Sequence, residues 1–496
     1  MAAPIRAVFA NPIVGREFKT RLRSKRTYVA QGVLIGLLFG IVGIVYMLAL
    51  GVQRDFGMTD VQMVLQTLYL GILSGQTALV CLAAPTLTAT AIVGERERKT
   101  LDLLTSSPVR AGDLLVGKLM AAASYMALLL AMTLPAASIG ILAGGATPIE
   151  AALAYLIILT DATLLAAIAL FISVYAKSSG NAIAFSFFAA FVFLAATFPL
   201  AAMSFGSAFW GMGYVMAPLA SLNPFAAAMI ADTQSDILGL SVPVWVVTVV
   251  VALALIRLLV TLGSIGTGLQ SGNAVGSARR QGLLVFLLLI LVGAAPIMRT
   301  HYAETATTSA AVGIGLLTAV SPWIACHAER RPGWFRGSGA FRADPTGSLP
   351  FLLIAAAWLT FWSFAIPSIG AGKIVDSPLA SFMLGMALFA WGLCRFISAF
   401  DLGLGVKRFA ALFCLTAISA LPATIASATA GYQWREQWLY QWSVVGTIDR
   451  ALEAAYSGPI SVGPSIGGEI WSVSIAYALA GLGMALLAQR VRMHQA

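Results

Sequence analysis

The sequence predicts an all-α polytopic membrane protein of about twelve transmembrane helices, arranged as two six-helix halves behind an N-terminal amphipathic interface helix. Three observations carry this. Hydrophobic residues make up 59% of the chain and charged residues 10%, a balance outside the range of soluble globular domains. Apolar runs long enough to cross a bilayer recur along the chain, separated by polar turns. Basic residues keep to alternate turns: of thirty Lys and Arg, the outer turns hold only Arg54, Arg299, Lys373, Arg435 and Arg450. By the positive-inside rule both termini are then cytoplasmic. The net charge of +10 belongs to the inner leaflet and needs no nucleic acid to explain it.

Taken in order, residues 11–28 set Ile13, Val14, Phe18 and Leu22 at helical spacing among Arg16, Lys19, Arg21, Arg23, Lys25 and Arg26, with Glu17 beside Arg16. This is a helix lying on the inner leaflet. The first span, 29–51, follows seven basic residues and exceeds the apolar core of a cleavable signal, so it reads as retained. The second run, 61–93, is too long for one upright crossing and should tilt or continue into the cytoplasm. Spans three to six are predicted at 119–143, 150–175, 182–203 and 243–265, with an inner turn of Lys177, Ser178, Ser179, Gly180 and Asn181. Between spans five and six, 204–242 is apolar but broken by Gly, Pro and Asn223-Pro224. Unpaired backbone is not tolerated in lipid, so short helices dipping into the outer leaflet are expected there.

Residues 266–281, Gly- and Ser-rich and ending in Arg279-Arg280, read as an inner linker between the halves, placed at 1–270 and 271–496. The second half offers spans at 282–298, 308–326, 349–369, 378–400, 409–430 and 470–489. Its inner loops are 327–347 and 401–408. Its last span is again preceded by a long outer segment, 431–469, where Trp434, Trp438 and Trp442 recur every fourth residue as in an interfacial helix. Phe171-Ile172-Ser173 closes span four and Phe396-Ile397-Ser398 closes span ten, while Trp245 and Trp471 open spans six and twelve. These echoes point to an internal duplication.

Between spans two and three lies a dense charged island, Gly94-Glu95-Arg96-Glu97-Arg98-Lys99-Thr100, continuing through Leu101, Asp102, Leu103 and Leu104 to Pro108, and later to Gly117-Lys118. Leu101 and Leu104 form one apolar face of a two-turn helix that Pro108 ends. So short a helix needs something to hold it, either the headgroup layer or a groove on a soluble partner. The pattern of acid-x-acid, Thr-Leu, a Leu pair, Pro and later Gly-Lys resembles the cytoplasmic loop between the second and third spans of ABC-2-type permeases. Glu95, Glu97, Thr100, Leu101, Leu104, Pro108, Gly117 and Lys118 stand where that pattern wants them; Lys99 departs from it where Gly is common.

The resemblance implies two ABC-2-like halves, the second degenerate; four unpaired intramembrane cysteines and the basic inner loops suit a multi-pass protein of a bacterial inner membrane. It also implies a coupling helix in which Glu95, Arg96, Glu97, Arg98, Thr100, Leu101, Leu104 and Pro108 contact a dimeric ABC ATPase, with further permease or accessory subunits as additional partners. Arg16, Glu17, Phe18 and Leu22 resemble the family's N-terminal interface segment. Export is the direction it implies, with ATP and Mg carried by the partner. The chain has no Gly-x4-Gly-Lys-Ser/Thr of its own; Gly370-Ala371-Gly372-Lys373-Ile374 lacks the first Gly and the hydroxyl. The second half carries Glu329-Arg330-Arg331 in place of the acid-rich island, so its ATPase contact should be weaker or different.

Asp161, near the middle of span four, is costly in lipid and stands for a cation or proton site or for a pairing with a neighbouring helix. Arg257 and Arg395 lie nearer span ends and can snorkel. Phe185, Phe188 and Phe191 line span five, as an apolar substrate path or as packing and lipid contact. Cys81, Cys326, Cys394 and Cys414 show no disulfide or zinc spacing, and the three His no metal cluster. The alternative function is a twelve-span secondary transporter driven by protons or sodium through Asp161. A lipid-modifying enzyme would need a convergent polar cluster, and none is seen.

Overall fold

The structure is a computed structural model that describes residues 61–100, 111–142, 145–209, 221, 223–230, 233–237, 240–267, 274–294, 302–326, 340–341, 347–371, 379–429, 438–457 and 465–495, with isolated positions at 15 and between 32 and 47. The interface-helix residues Arg16, Glu17, Phe18 and Leu22, the first span apart from those positions, and Leu101, Leu104 and Pro108 of the charged island lie outside the described residues. Eight helices among the described residues are long and apolar enough to cross a membrane. The chain is a multi-pass, all-α membrane protein. It divides into two compact units, one from residues up to 236 with 241–274, the other from 237–240 with 275–496.

In the first unit α1 (Val61–Thr88) contains Pro85. Proline has no N–H to continue the ladder, and the helix stops three residues later. After a turn the chain resumes as the short α2 (Val93–Glu97). The long second run is therefore broken rather than continuous. Helix α3 (Ala111–Met132) starts well before the predicted third span, taking Gly117-Lys118 into its first turns, and breaks at Thr133 ahead of α4 (Leu134–Leu142). Pro135 is again the breaker.

The centre of the unit is α5 (Pro148–Tyr175). Thr147 and Glu150 close a capping box at its start with Pro148 behind the cap, a combination that fixes the helix's first turn. It packs against α1, α3, α6 (Ser179–Phe209), α7 (Pro224–Met229) and α8 (Val244–Gly266). Leu73, Ala84, Met126, Ile158, Leu165, Ala166 and Leu170 form its buried contact. Across it, Gln76 on α1 donates to the Tyr155 hydroxyl at 2.8 Å and the Thr133 carbonyl at 3.3 Å. Short α7 fits the expectation of a brief helix before span six: Asn223 caps it, accepting from Phe225 N–H at 3.1 Å and donating to Thr197 Oγ1 at 3.0 Å. The sequence predicts no strand here, yet β1 (Gln234–Ile237) and β2 (Leu240–Pro243) pair between α7 and α8.

In the second unit α9 (Ala274–Ala294) begins earlier than predicted. Arg279-Arg280 is not a linker terminus but part of this helix. Arg279 is buried, donating to the Ala340 carbonyl and stacking 5.2 Å over the Phe351 ring, which satisfies a charge that an open loop would leave to water. Then come α10 (Tyr302–Ala325), α11 (Ser348–Ala371), α12 (Leu379–Ser398), α13 (Leu404–Thr429), the short α14 (Trp438–Gln441), α15 (Val444–Ser457) and α16 (Ser465–Gln495).

Helix α12 is the centre, against α10, α11, α13 and α16. It meets α16 backbone to backbone: a Cβ on Gly392 would strike the Gly481 carbonyl, and one on Gly481 would lie 2.6 Å from Phe389 Cα. Tyr477 of α16 stacks edge-on between Phe382 and Phe389, 5.5 and 5.0 Å away. Of the tryptophan stripe, Trp434 lies outside the described residues, and Trp438 and Trp442 do not share one helix. Trp438 opens α14, whereas half-exposed Trp442 lies in the turn before α15 and its carbonyl accepts from Tyr477 at 3.0 Å. The inner loop expected over 401–408 is shorter, because Lys407 and Arg408 are already in α13.

Candidate functional site: the charged node after the second helix

Helix α2 is pinned from both ends. Thr88 Oγ1 donates 2.8 Å to the Ala166 carbonyl of α5. The fully buried Ile92 and Val93 send their N–H groups, free at a helix start, to Ser173 Oγ at 3.0 and 3.2 Å. Val93 packs with Ala176 and Ala182, which flank the turn from α5 to α6.

The next three charges then reach three different helices. Glu95 Oε1 accepts from Lys118 Nζ of α3 at 2.7 Å, the Lys118 side chain being 5% exposed and that of Glu95 24%. Arg96 donates to the Val174 carbonyl at 2.8 Å and the Ala176 carbonyl at 3.1 Å, at the C-terminus of α5. Glu97 accepts from Ser179 N–H at 2.7 Å and Ser179 Oγ at 2.5 Å, at the N-terminus of α6. Cation at a C-terminus and anion at an N-terminus are the favourable ends of each helix dipole. The acid-x-acid pair and the distant Gly-Lys are thus ends of one contact: Glu95 needs Lys118.

Past the ties the chain turns outward. Arg98 is the C-cap of α2 and Lys99 takes φ 56°. Lys99 N–H bonds Arg96 O at 3.1 Å and Thr100 N–H bonds Glu95 O at 3.0 Å, the paired bonds of a Schellman stop. A left-handed residue is required here, and that is why Gly is common at this place and why Lys99 still makes the turn. Arg98, Lys99 and Thr100 are exposed.

Residues 11–236, from the N-terminal segment through this node to β1, match the family model described as ABC-2 family transporter protein. This part of the chain is similar to ABC-2-type permeases. The matched stretch is less than half of the 496 residues, so the family assignment is carried by the first unit. An ABC-2 permease is the transmembrane component of an ABC transporter and works with an ABC ATPase subunit. A comparison with curated proteins found no match.

Of the candidate coupling residues, Glu95, Arg96 and Glu97 converge on the node, Arg98 and Thr100 flank it outside, and Leu101, Leu104 and Pro108 lie outside the described residues. Ser173 and Ser179 are partners with no signal in the sequence, whereas Lys118 belongs to the Gly-Lys of the motif and proves to be the partner of Glu95. The candidate path residues do not share one surface. Asp161 is 6% exposed inside α5, whereas Phe185, Phe188 and Phe191 are 57–68% exposed on the outer face of α6. The buried Oδ2 of Asp161 has no hydrogen-bond partner among the described residues. Cys326 Sγ sits 3.8 Å from the Cys394 carbonyl, and both thiols are free and buried.

Proposed function

We propose that the chain is the membrane-spanning subunit of an ATP-driven exporter of the bacterial inner membrane, with both termini cytoplasmic. A separate ABC ATPase dimer, carrying ATP and Mg, docks on the segment that begins at exposed Arg98, Lys99 and Thr100 and runs to Pro108. The observation that carries this reading is the node itself. A coupling element must be rigidly joined to the spans it moves, and α2 is tied to α3, α5 and α6 by Glu95, Arg96 and Glu97.

The second unit is a degenerate copy of the first. In support, α5 and α12 each occupy the middle of a unit, each carries the Phe-Ile-Ser echo at its end, and each turns directly into a helix packed against it. Alternating access then follows ATP binding, which shifts the docked segment and, through the three ties, the cytoplasmic ends of the spans.

The test is co-purification of the full chain from its own membranes, wild type against Leu101→Glu with Leu104→Glu. An ATPase retained by the wild type and lost by the variant supports the docking surface. An ATPase retained equally by both, or captured by neither, refutes it. Glu95→Ala and Glu97→Ala weaken capture indirectly, by loosening the node. The second reading, a secondary transporter, draws on buried Asp161, whose Oδ2 has no hydrogen-bond partner among the described residues; it requires that Asp161→Asn abolish transport in vesicles lacking ATP.

A further inference from the structure

A buried cysteine is ordinarily a small apolar filler, and Cys81 packs in that way in the core of the first unit. Cys326 and Cys394 are placed differently. Cys326 is the residue on which α10 ends, and Cys394 lies near the end of α12, a helix that α10 packs against. Both thiols are free, 1% and 0% exposed. A hydrogen bond joins them to each other, and the Cys326 thiol also lies 3.8 Å from the carbonyls of Cys394 and Lys407. The Cys394 carbonyl accepts from Ser398 Oγ at 2.7 Å as well, which holds that end of α12 in place. Lys407, 2% exposed in the first turn of α13, donates at 3.2 Å to the Ser398 carbonyl. A buried ammonium is thereby fixed beside the pair, and its charge and that of Arg408 act on Cys326. Cysteine reacts through its thiolate, the form that neighbouring cations favour.

We propose that Cys326 and Cys394 are a redox modification site, at which hydrogen peroxide forms a disulfide that ties the end of α10 to the end of α12. The Cys326 thiolate attacks one peroxide oxygen: the S–O bond forms, the O–O bond breaks, and the departing hydroxide takes up the proton that the thiol released, leaving as water. Cys394 then gives up its proton and attacks the Cys326 sulfur. The S–S bond forms, the S–O bond breaks, and the hydroxyl leaves with that proton as a second water. The two thiols lose two electrons and one peroxide becomes two waters. Peroxide is small and uncharged, so it reaches a buried pair through local opening of the helix ends. In a reducing compartment the thiols stay free, and a dithiol reductant restores them after oxidation. The reaction is independent of whether an ATPase docks on the chain.

The test is thiol counting on the full chain in detergent micelles, before and after hydrogen peroxide and again after dithiothreitol, with a maleimide added in denaturant and the peptides identified by mass. Peroxide is expected to lower the labelled thiols from four to two. Cys326 and Cys394 are lost together and recovered as one cross-linked peptide pair, while Cys81 and half-buried Cys414 stay labelled. Dithiothreitol restores all four. In Cys394→Ala the cross-link is absent and Cys326 carries added oxygen instead; in Cys326→Ala it is absent and Cys394 stays labelled. Four labelled thiols after a peroxide dose that already converts exposed Met132 to its sulfoxide overturns the proposal. Oxidation of Cys326 and Cys394 without a cross-link, or loss of Cys414 in place of the pair, overturns it as well. The wild-type chain alone decides between these outcomes, so a variant that fails to fold leaves the result intact.

Discussion

The ion pair between Glu95 and Lys118 invites a double-mutant cycle. At 2.7 Å, with an effective dielectric of about 20, two unit charges attract by about 6 kcal/mol. Desolvation of the nearly buried Lys118 removes much of that, so the pair's net worth is small compared with the cost of breaking it. Lys118→Met strands a carboxylate whose other oxygen, Oε2, is already buried without a hydrogen-bond partner among the described residues. The expected loss is about 3 kcal/mol, the low end for a broken buried pair because Glu95 keeps some contact with water. Glu95→Gln with Lys118→Met, which removes both charges and keeps the volume, should return to within about 1 kcal/mol of wild type. The assay is reversible denaturant unfolding in detergent micelles, with hydrogen exchange over 93–97 and 114–118 to localise the effect. Single and double variants that lose stability additively, or a Lys118→Met variant as stable as wild type, would refute the account of the node as a coupled pair.

Three further outcomes are expected. Lys99→Gly relieves the left-handed strain at φ 56° and should stabilise the end of α2 by about 0.5–1 kcal/mol after glycine's own entropy is counted, seen as slower exchange at Lys99 and Thr100; faster exchange contradicts it. Ser173→Ala strands the buried N–H groups of Ile92 and Val93 and should cost about 2 kcal/mol, with a readout of increased protease cleavage between α1 and α3. Gly481→Ala places a methyl against the α12 backbone and should destabilise the second unit by about 2 kcal/mol or more, while Gly483→Ala, which has open space at its Cβ, should leave the unfolding midpoint unchanged.

Much of the architecture was legible in the sequence because bilayer thickness and the cost of charge in lipid leave few choices: α5, α8 and α12 lie within a few residues of their predicted spans. What was not legible depended on contacts between distant residues. Arg279 and Lys407 looked like loop charges, and only the carbonyls of Ala340 and Ser398 reveal that both are buried in helices. Glu95 and Glu97 looked like a docking surface, since spacing along a chain cannot show that Lys118 and Ser179 are waiting on other helices. The breaks at Pro85 and Pro135 were readable in principle, but a run of apolar residues around a proline is also what a kinked continuous span looks like. Asp161 stands out in the sequence as a charge inside a span, but its burial in α5 and the open Oδ2 depend on how the helices pack around it.

The claim that the segment leaving α2 is where an ATPase docks is tested most directly by placing a photo-cross-linking amino acid at Thr100, exposed just past the Schellman stop, and irradiating native membranes. The account predicts an adduct whose added mass and peptides are those of an ABC ATPase, absent when the same group replaces the exposed Phe188 of α6. An adduct to lipid alone at Thr100, or an ATPase adduct at both positions, would contradict it.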